Sequence, residues 1–157
     1  MKAVSTILIT LTILCSIMVS VTATEHLKSL SAYALSDNAL WYRLMHLSAV
    51  MFFMLNTDKN KYNLYIGFGM GLILAFDMYH FQTVHNLVTV GTLVLAAYSL
   101  IETAKGLVKS QMLFIGMASV LEFCVGYFSN FRHLTAEIIA MAVLMNGKLL
   151  EIYQDGK

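Results

Sequence analysis

Apolar residues run along this chain in long unbroken stretches, separated by short polar breaks. Six such stretches stand out, at about 4–22, 40–55, 62–81, 87–101, 112–128 and 134–150. A membrane-crossing helix takes about 17–25 mostly apolar residues, so each stretch meets or approaches that length. The runs are continuous and do not alternate with period two, which argues against the strands of a barrel. The pattern predicts an all-α, polytopic transmembrane helix bundle of five to six membrane-spanning helices. Several runs are near the short end of the range. Between the first two, Leu27, Leu30, Ala34 and Leu35 recur at roughly helical spacing and predict an interfacial amphipathic helix. Asp37 and Asn38 then read as a cap for the helix that follows.

The first run has two readings. Lys2 supplies a positive start, and Val21-Thr22-Ala23 satisfies the small-residue rule for signal cleavage. Residues 1–23 are therefore a signal peptide or a first transmembrane helix, and 24–157 form a single helical-bundle domain. Cys15 follows Leu14 where a lipoprotein anchor would have a small residue, so a lipid anchor is discounted.

Composition strengthens the membrane reading. Hydrophobic residues make up 59% of the chain and charged ones 12%, against about 45–50% and 25% in soluble domains. Disordered chains, nucleic-acid binders and ordinary water-soluble enzymes are excluded, and a formal net charge of +1 offers no footprint for DNA or RNA. Charge also sets orientation. Lys59, Lys61, Lys105, Lys109 and the Lys2, Lys148 and Lys157 ends fall on one side, against Lys28, Arg43 and Arg132 on the other. The positive-inside rule makes the lysine-rich side, and with it the C-terminus, cytoplasmic.

Ionisable side chains inside a bilayer are costly and gather where they have a purpose. Here they collect near the outer ends: Arg43 and His46, Asp77 and His80, His85 and Asn86, Glu122, then Arg132, His133 and Glu137. The expected metal ligands are Asp77, His80, His85, His133 and His46, with Glu122 or Glu137 as general base. The cofactor would be a transition metal (zinc, copper or iron). Against this stands a plainer reading in which the arginines and histidines anchor or neutralise, and Trp41, Tyr42, Tyr79, Phe81, Tyr127 and Phe131 form an interfacial aromatic belt. Glu102, Asn146 and Lys148 intrude at the other end, where they can reach the interface or, for Asn146, a neighbouring helix.

Three further features read as packing. Gly67, Gly71 and Ala75 make a small-residue stripe, the 11 methionines are scattered as adaptable filler, and Cys15 and Cys124 offer no disulfide framework. No nucleotide or catalytic-triad motif is present.

Function divides three ways on this evidence. The leading expectation is an accessory, assembly or structural membrane component, with the lipid bilayer and other membrane-protein subunits as partners and no nucleic acid. The alternative is a membrane-embedded metal-dependent enzyme, hydrolytic towards a lipid or redox-active. Whether the pocket is catalytic stays open. Ion or proton transport ranks third, because the lower parts of the second and fourth runs look too apolar to continue a path; b-haem binding is placed below a bare metal ion.

Overall fold

The computed structural model describes residues 2–22, 30–103, 117 and 133–154. All regular structure among them is helical: α1 (Lys2–Val21), a short 3-10 helix (Leu30–Leu35), α2 (Ala39–Leu55), α3 (Tyr62–Ala75), α4 (Gln82–Thr103) and α5 (His133–Gln154). Two of these, at Lys2–Val19 and Gln82–Thr103, are long and apolar enough to cross a membrane by length and composition; Ala39–Leu55 and Tyr62–Ala75 are shorter apolar helices. The expected fifth run, with Glu122 and Cys124, lies outside the described residues apart from residue 117. So do Arg132, Tyr127, Phe131 and the start of the expected interfacial helix.

Side-chain contacts define two ends of the bundle. At one, Ser5 meets Asn56, Thr6 meets Tyr153, Asn60 meets Glu151 and Lys61 meets Glu102. At the other, Thr22 meets Asn38, Leu30 meets Glu137, and His85 meets Phe76. So α1, α2, α3 and α4 alternate in direction, and α5 runs the same way as α4.

Packing follows helical spacing. On α1, Ser5, Leu8, Ile9, Thr12, Cys15, Ser16 and Val19 are buried, while Val4, Ile7, Leu11, Leu14, Ile17 and Val21 face outward. One core cluster joins Ile9, Phe52, Phe53, Ile66, Leu100 and Met145; a second gathers Cys15, Val19, Tyr33, Tyr42 and Met45 around the 3-10 helix. Burying a large aliphatic or aromatic side chain away from water is worth about 1.5–3 kcal/mol. In lipid that drive is absent between helices, and close packing with polar pairing takes its place.

Several details differ from the sequence expectations. The third helix stops at Ala75, with Phe76 as its C-cap, and does not reach residue 81. Asp77 ends it: its Oδ1 accepts the backbone N–H groups of Tyr79 (2.9 Å) and His80 (3.0 Å), an alternative to the helical ladder that short polar side chains favour. The segment after the first helix is a short 3-10 helix that buries Leu30, Tyr33 and Ala34 and leaves Leu35 exposed. Asn38 makes no side-chain cap for α2 and instead bonds to the end of α1, at Val19 O and Thr22 Oγ1. Tyr42 is core, not belt.

The glycine stripe is also redistributed. A Cβ on Gly67 would sit 3.1 Å from Phe53 Cβ, and one on Gly69 would run into the Thr92 hydroxyl, whereas one on Gly71 meets nothing within 4 Å. The close approaches are therefore Gly67 against α2 and Gly69 against α4.

Candidate functional site

The ionisable residues at this end of the bundle, near the start of α2 and the α3–α4 turn, separate into two groups. Asp77 and His80 stay in the α3–α4 turn, where His80 Nδ1 lies 3.0 Å from both carboxylate oxygens and His80 is exposed. The His80 backbone N–H, with support from its imidazole and from the Tyr79 N–H, holds the Asp77 carboxyl below the usual carboxylate range, against a smaller opposing effect of burial. This pair shapes a connection and faces solvent.

His46, His85 and Glu137 point to a different place. They line one cavity of about 100 Å³ between α2, α3, α4 and α5. The two histidines are buried, at 4% and 3% exposure. Each is held by a backbone carbonyl. His46 Nδ1 donates to Tyr42 O, one turn back on its own helix, at 3.1 Å. His85 Nδ1 donates to Phe76 O at 2.7 Å, satisfying a carbonyl left unpaired at the end of α3. A carbonyl can only accept, so each Nδ1 carries the hydrogen, and in a neutral imidazole Nε2 remains as an acceptor. Glu137 Oε2 accepts the Leu30 N–H at 2.7 Å, capping the 3-10 helix from across the bundle. That fixes the helix as the cavity's roof, to which it contributes Leu30 and Ser31.

Tyr42 completes the set. Its ring lies 4.4 Å from the His46 ring, and its hydroxyl is buried with no hydrogen-bond partner among the described residues. Much of the remaining wall is apolar, including Met45, Met70, Met141 and Met145. The cavity wall is almost wholly apolar, with His46, His85 and Glu137 among its few polar residues and the Tyr42 hydroxyl buried beside it. Of the sequence-predicted residues, the structure brings together His46, His85 and Glu137. It leaves Asp77 and His80 outside; Glu122 and the His133 side chain lie outside what is described. Among the described residues no group of three or more His, Cys, Asp or Glu side chains is placed to hold a metal ion.

A second polar cluster occupies the opposite end, and sequence reading missed most of it. Lys148 is fully buried. Its Nζ donates to Glu151 Oε2 at 2.9 Å and to Asn63 Oδ1 at 3.2 Å. Asn60 donates to the other Glu151 oxygen at 2.7 Å, and Asn63 donates to Asn56 O at 2.7 Å. The expectation that Lys148 reaches the interface is thus corrected: its partners are inside. Asn146 is exposed and bonds to Ala142 O on its own helix. The Lys148 and Glu151 spacing of one turn on α5 was the available signal.

No family model, curated protein or solved structure matches the chain. Function must be argued from these two polar layers and from what surrounds them.

Proposed function

We propose that this chain is a small multi-pass integral membrane protein, an accessory or assembly component whose working feature is the His46–His85–Glu137 chamber. One observation carries the reading: beside an apolar core, large apolar side chains cover the outside of every α-helix while several polar groups are buried between them. Large apolar side chains are exposed on all five α-helices, among them Ile7, Met51, Phe68, Leu87 and Leu150. Polar and charged groups are buried, among them Thr12, Ser48, Asn63, Ser99 and Lys148. A water-soluble protein would hide the first set and expose the second. In lipid the first set meets acyl chains and the second satisfies itself internally.

On this reading α1 is a retained span, because Ser5 and Thr12 bond to Asn56 and Ser48 inside the bundle. The lysine-rich end, with Lys2, Lys59 and Lys61, is cytoplasmic, as is the C-terminus. The sequence supplies a further apolar run, 112–128, for the return between α4 and α5.

The test is cysteine labelling in intact cells, in a Cys15→Ala, Cys124→Ala background. A Thr83→Cys variant is expected to react with a membrane-impermeant maleimide from outside, and Asp58→Cys only after permeabilisation. Release of the chain by alkaline carbonate would overturn the integral-membrane reading. A mature N-terminus at residue 24 would overturn retention of α1.

One observation favours the metal-dependent alternative: two buried imidazoles whose Nδ1 atoms are both held by carbonyls, the arrangement that orients Nε2 towards a metal. Elemental analysis of purified wild type beside a His46→Ala, His85→Ala variant decides it. One equivalent of zinc, copper or iron that the variant loses would favour an enzyme over an accessory role.

A further inference from the structure

The cavity between α2, α3, α4 and α5 has a shape as well as a volume. Its wall is almost wholly apolar. Along α3 it is lined by Ile66, Met70 and Ile73, and along α5 by Glu137, Ala140, Met141, Leu144 and Met145. At 1.5 Å per residue these rows run about 10 Å and about 12 Å down the bundle. About 100 Å³ drawn out over that length is a narrow slot.

The slot also has a side. Its lining residues are buried except Ser31 in the roof, Thr89 and Leu93 on α4, and Glu137 and Met141 on α5, which are half-buried. The thin wall therefore lies between α4 and α5, two helices that run in the same direction. Beside it Val90, Val94 and Ile139 turn apolar side chains outward. An apolar void of this kind stays dry. Left empty, it costs its walls the van der Waals contacts that a filled interior would make.

We propose that the slot takes the free end of an acyl chain from a bilayer lipid, entering between α4 and α5. Such an end is unbranched, apolar and already out of water, so it enters without desolvation and gains contacts on every side. Cavities of about 150 Å³ hold the six carbons of benzene, so about 100 Å³ holds about four in a row. Met70, Met141 and Met145, with flexible unbranched side chains, adjust to the bends of the hydrocarbon. A hydrocarbon end asks for no hydrogen bond, so His46, His85 and Glu137 keep the backbone partners they have. The inference rests on the membrane reading above and names what its chamber takes up.

The experiment uses the full-length protein in phosphatidylcholine nanodiscs. One probe lipid carries a photoactivatable diazirine at the methyl end of an acyl chain; a matched lipid carries it next to the ester. After irradiation, adducts are mapped by peptide mass spectrometry. The methyl-end probe is expected to label Met70 and Met145, which are 5% and 0% exposed and out of reach of lipid packed on the outside. The ester-end probe is expected to leave both unlabelled. Ala140→Phe, which fills the slot, is expected to abolish the labels at Met70 and Met145 and to keep those at the exposed Leu47 and Leu87, a sign that the bundle is intact. Should that variant misfold, Ala96→Leu fills the slot from α4 and is read in the same way. No label at Met70 and Met145, equal labelling by the two probes, or labels that persist in the filled variants would each overturn the proposal. Alkaline carbonate extraction of the expressing membranes separates the two readings. A protein that stays in the membrane with Met70 and Met145 unlabelled refutes the acyl site alone; a protein that is released refutes both.

Discussion

The ammonium of Lys148 lies 2.9 Å from the carboxylate of Glu151, one turn further along α5, at a position where Lys148 has no exposed surface. Removing one member of such a pair strands a buried charge, which costs about 3–5 kcal/mol; removing both with apolar replacements is often tolerated. Glu151→Ala is expected to lower stability by that amount, and the Lys148→Met, Glu151→Leu double change by clearly less. Reversible denaturant titration in detergent, read as a double-mutant cycle, checks the difference.

Tyr42→Phe should behave in the opposite way for a buried polar residue. No hydrogen bond to a described residue is lost, because the hydroxyl makes none. The stability change is expected to be within about 0.5 kcal/mol of zero or slightly favourable. A loss above about 1 kcal/mol in thermal melts would mean that the hydroxyl is already engaged.

The glycines of α3 give a paired test of helix packing. Gly71→Ala meets open space and gains helix propensity, worth up to about 1 kcal/mol. Gly69→Ala drives a Cβ into Thr92 and is expected to cost about 1–3 kcal/mol. Opposite shifts in melting temperature are the predicted signature.

Asp77 links the α3–α4 turn to pH. Its folded carboxyl is held below the usual carboxylate range, chiefly by the His80 backbone N–H. Stability from the ionised form is therefore present above the ordinary carboxylate value and is lost as pH falls through the lower folded value. Amide exchange in residues 77–81 is expected to rise as pH is taken below that range, after correction for intrinsic rates. Asp77→Asn should remove the dependence.

Helix placement was legible in the sequence because long apolar runs leave few other structures; the second run at 40–55 and α2 (Ala39–Leu55) differ by one residue. The end of the third helix was not, because apolarity continues past Ala75 while the decision is made by one carboxylate bonding to the backbone ahead of it. The site was half legible. Depth along the helices put His46, His85 and Glu137 near one another, but depth alone says nothing about rotation. The early end of α3 leaves His80 exposed in the turn, and the rotation of α4 carries His85 inward. The second polar cluster escaped because Asn56 and Asn60 look like ordinary connection residues, and Asn63 like the polar start of an apolar run, until the fold brings Lys148 against Asn63 and Glu151 against Asn60.

The rungs between α1 and α2 carry a consequence for how the bundle is assembled. Ser5 pairs with Asn56, Thr12 with Ser48 and Thr22 with Asn38, so that each advance along one helix is matched by a retreat along the other. A greasy cylinder sliding past another in hydrocarbon finds nearly the same contacts after every turn. These three rungs break that degeneracy: a slip by one turn unmakes all of them together. They act as a vernier that sets where the first helix stops, and Asn56, joined to both Ser5 and the Asn63 side of the inner cluster, carries that setting onward to α3 and α5.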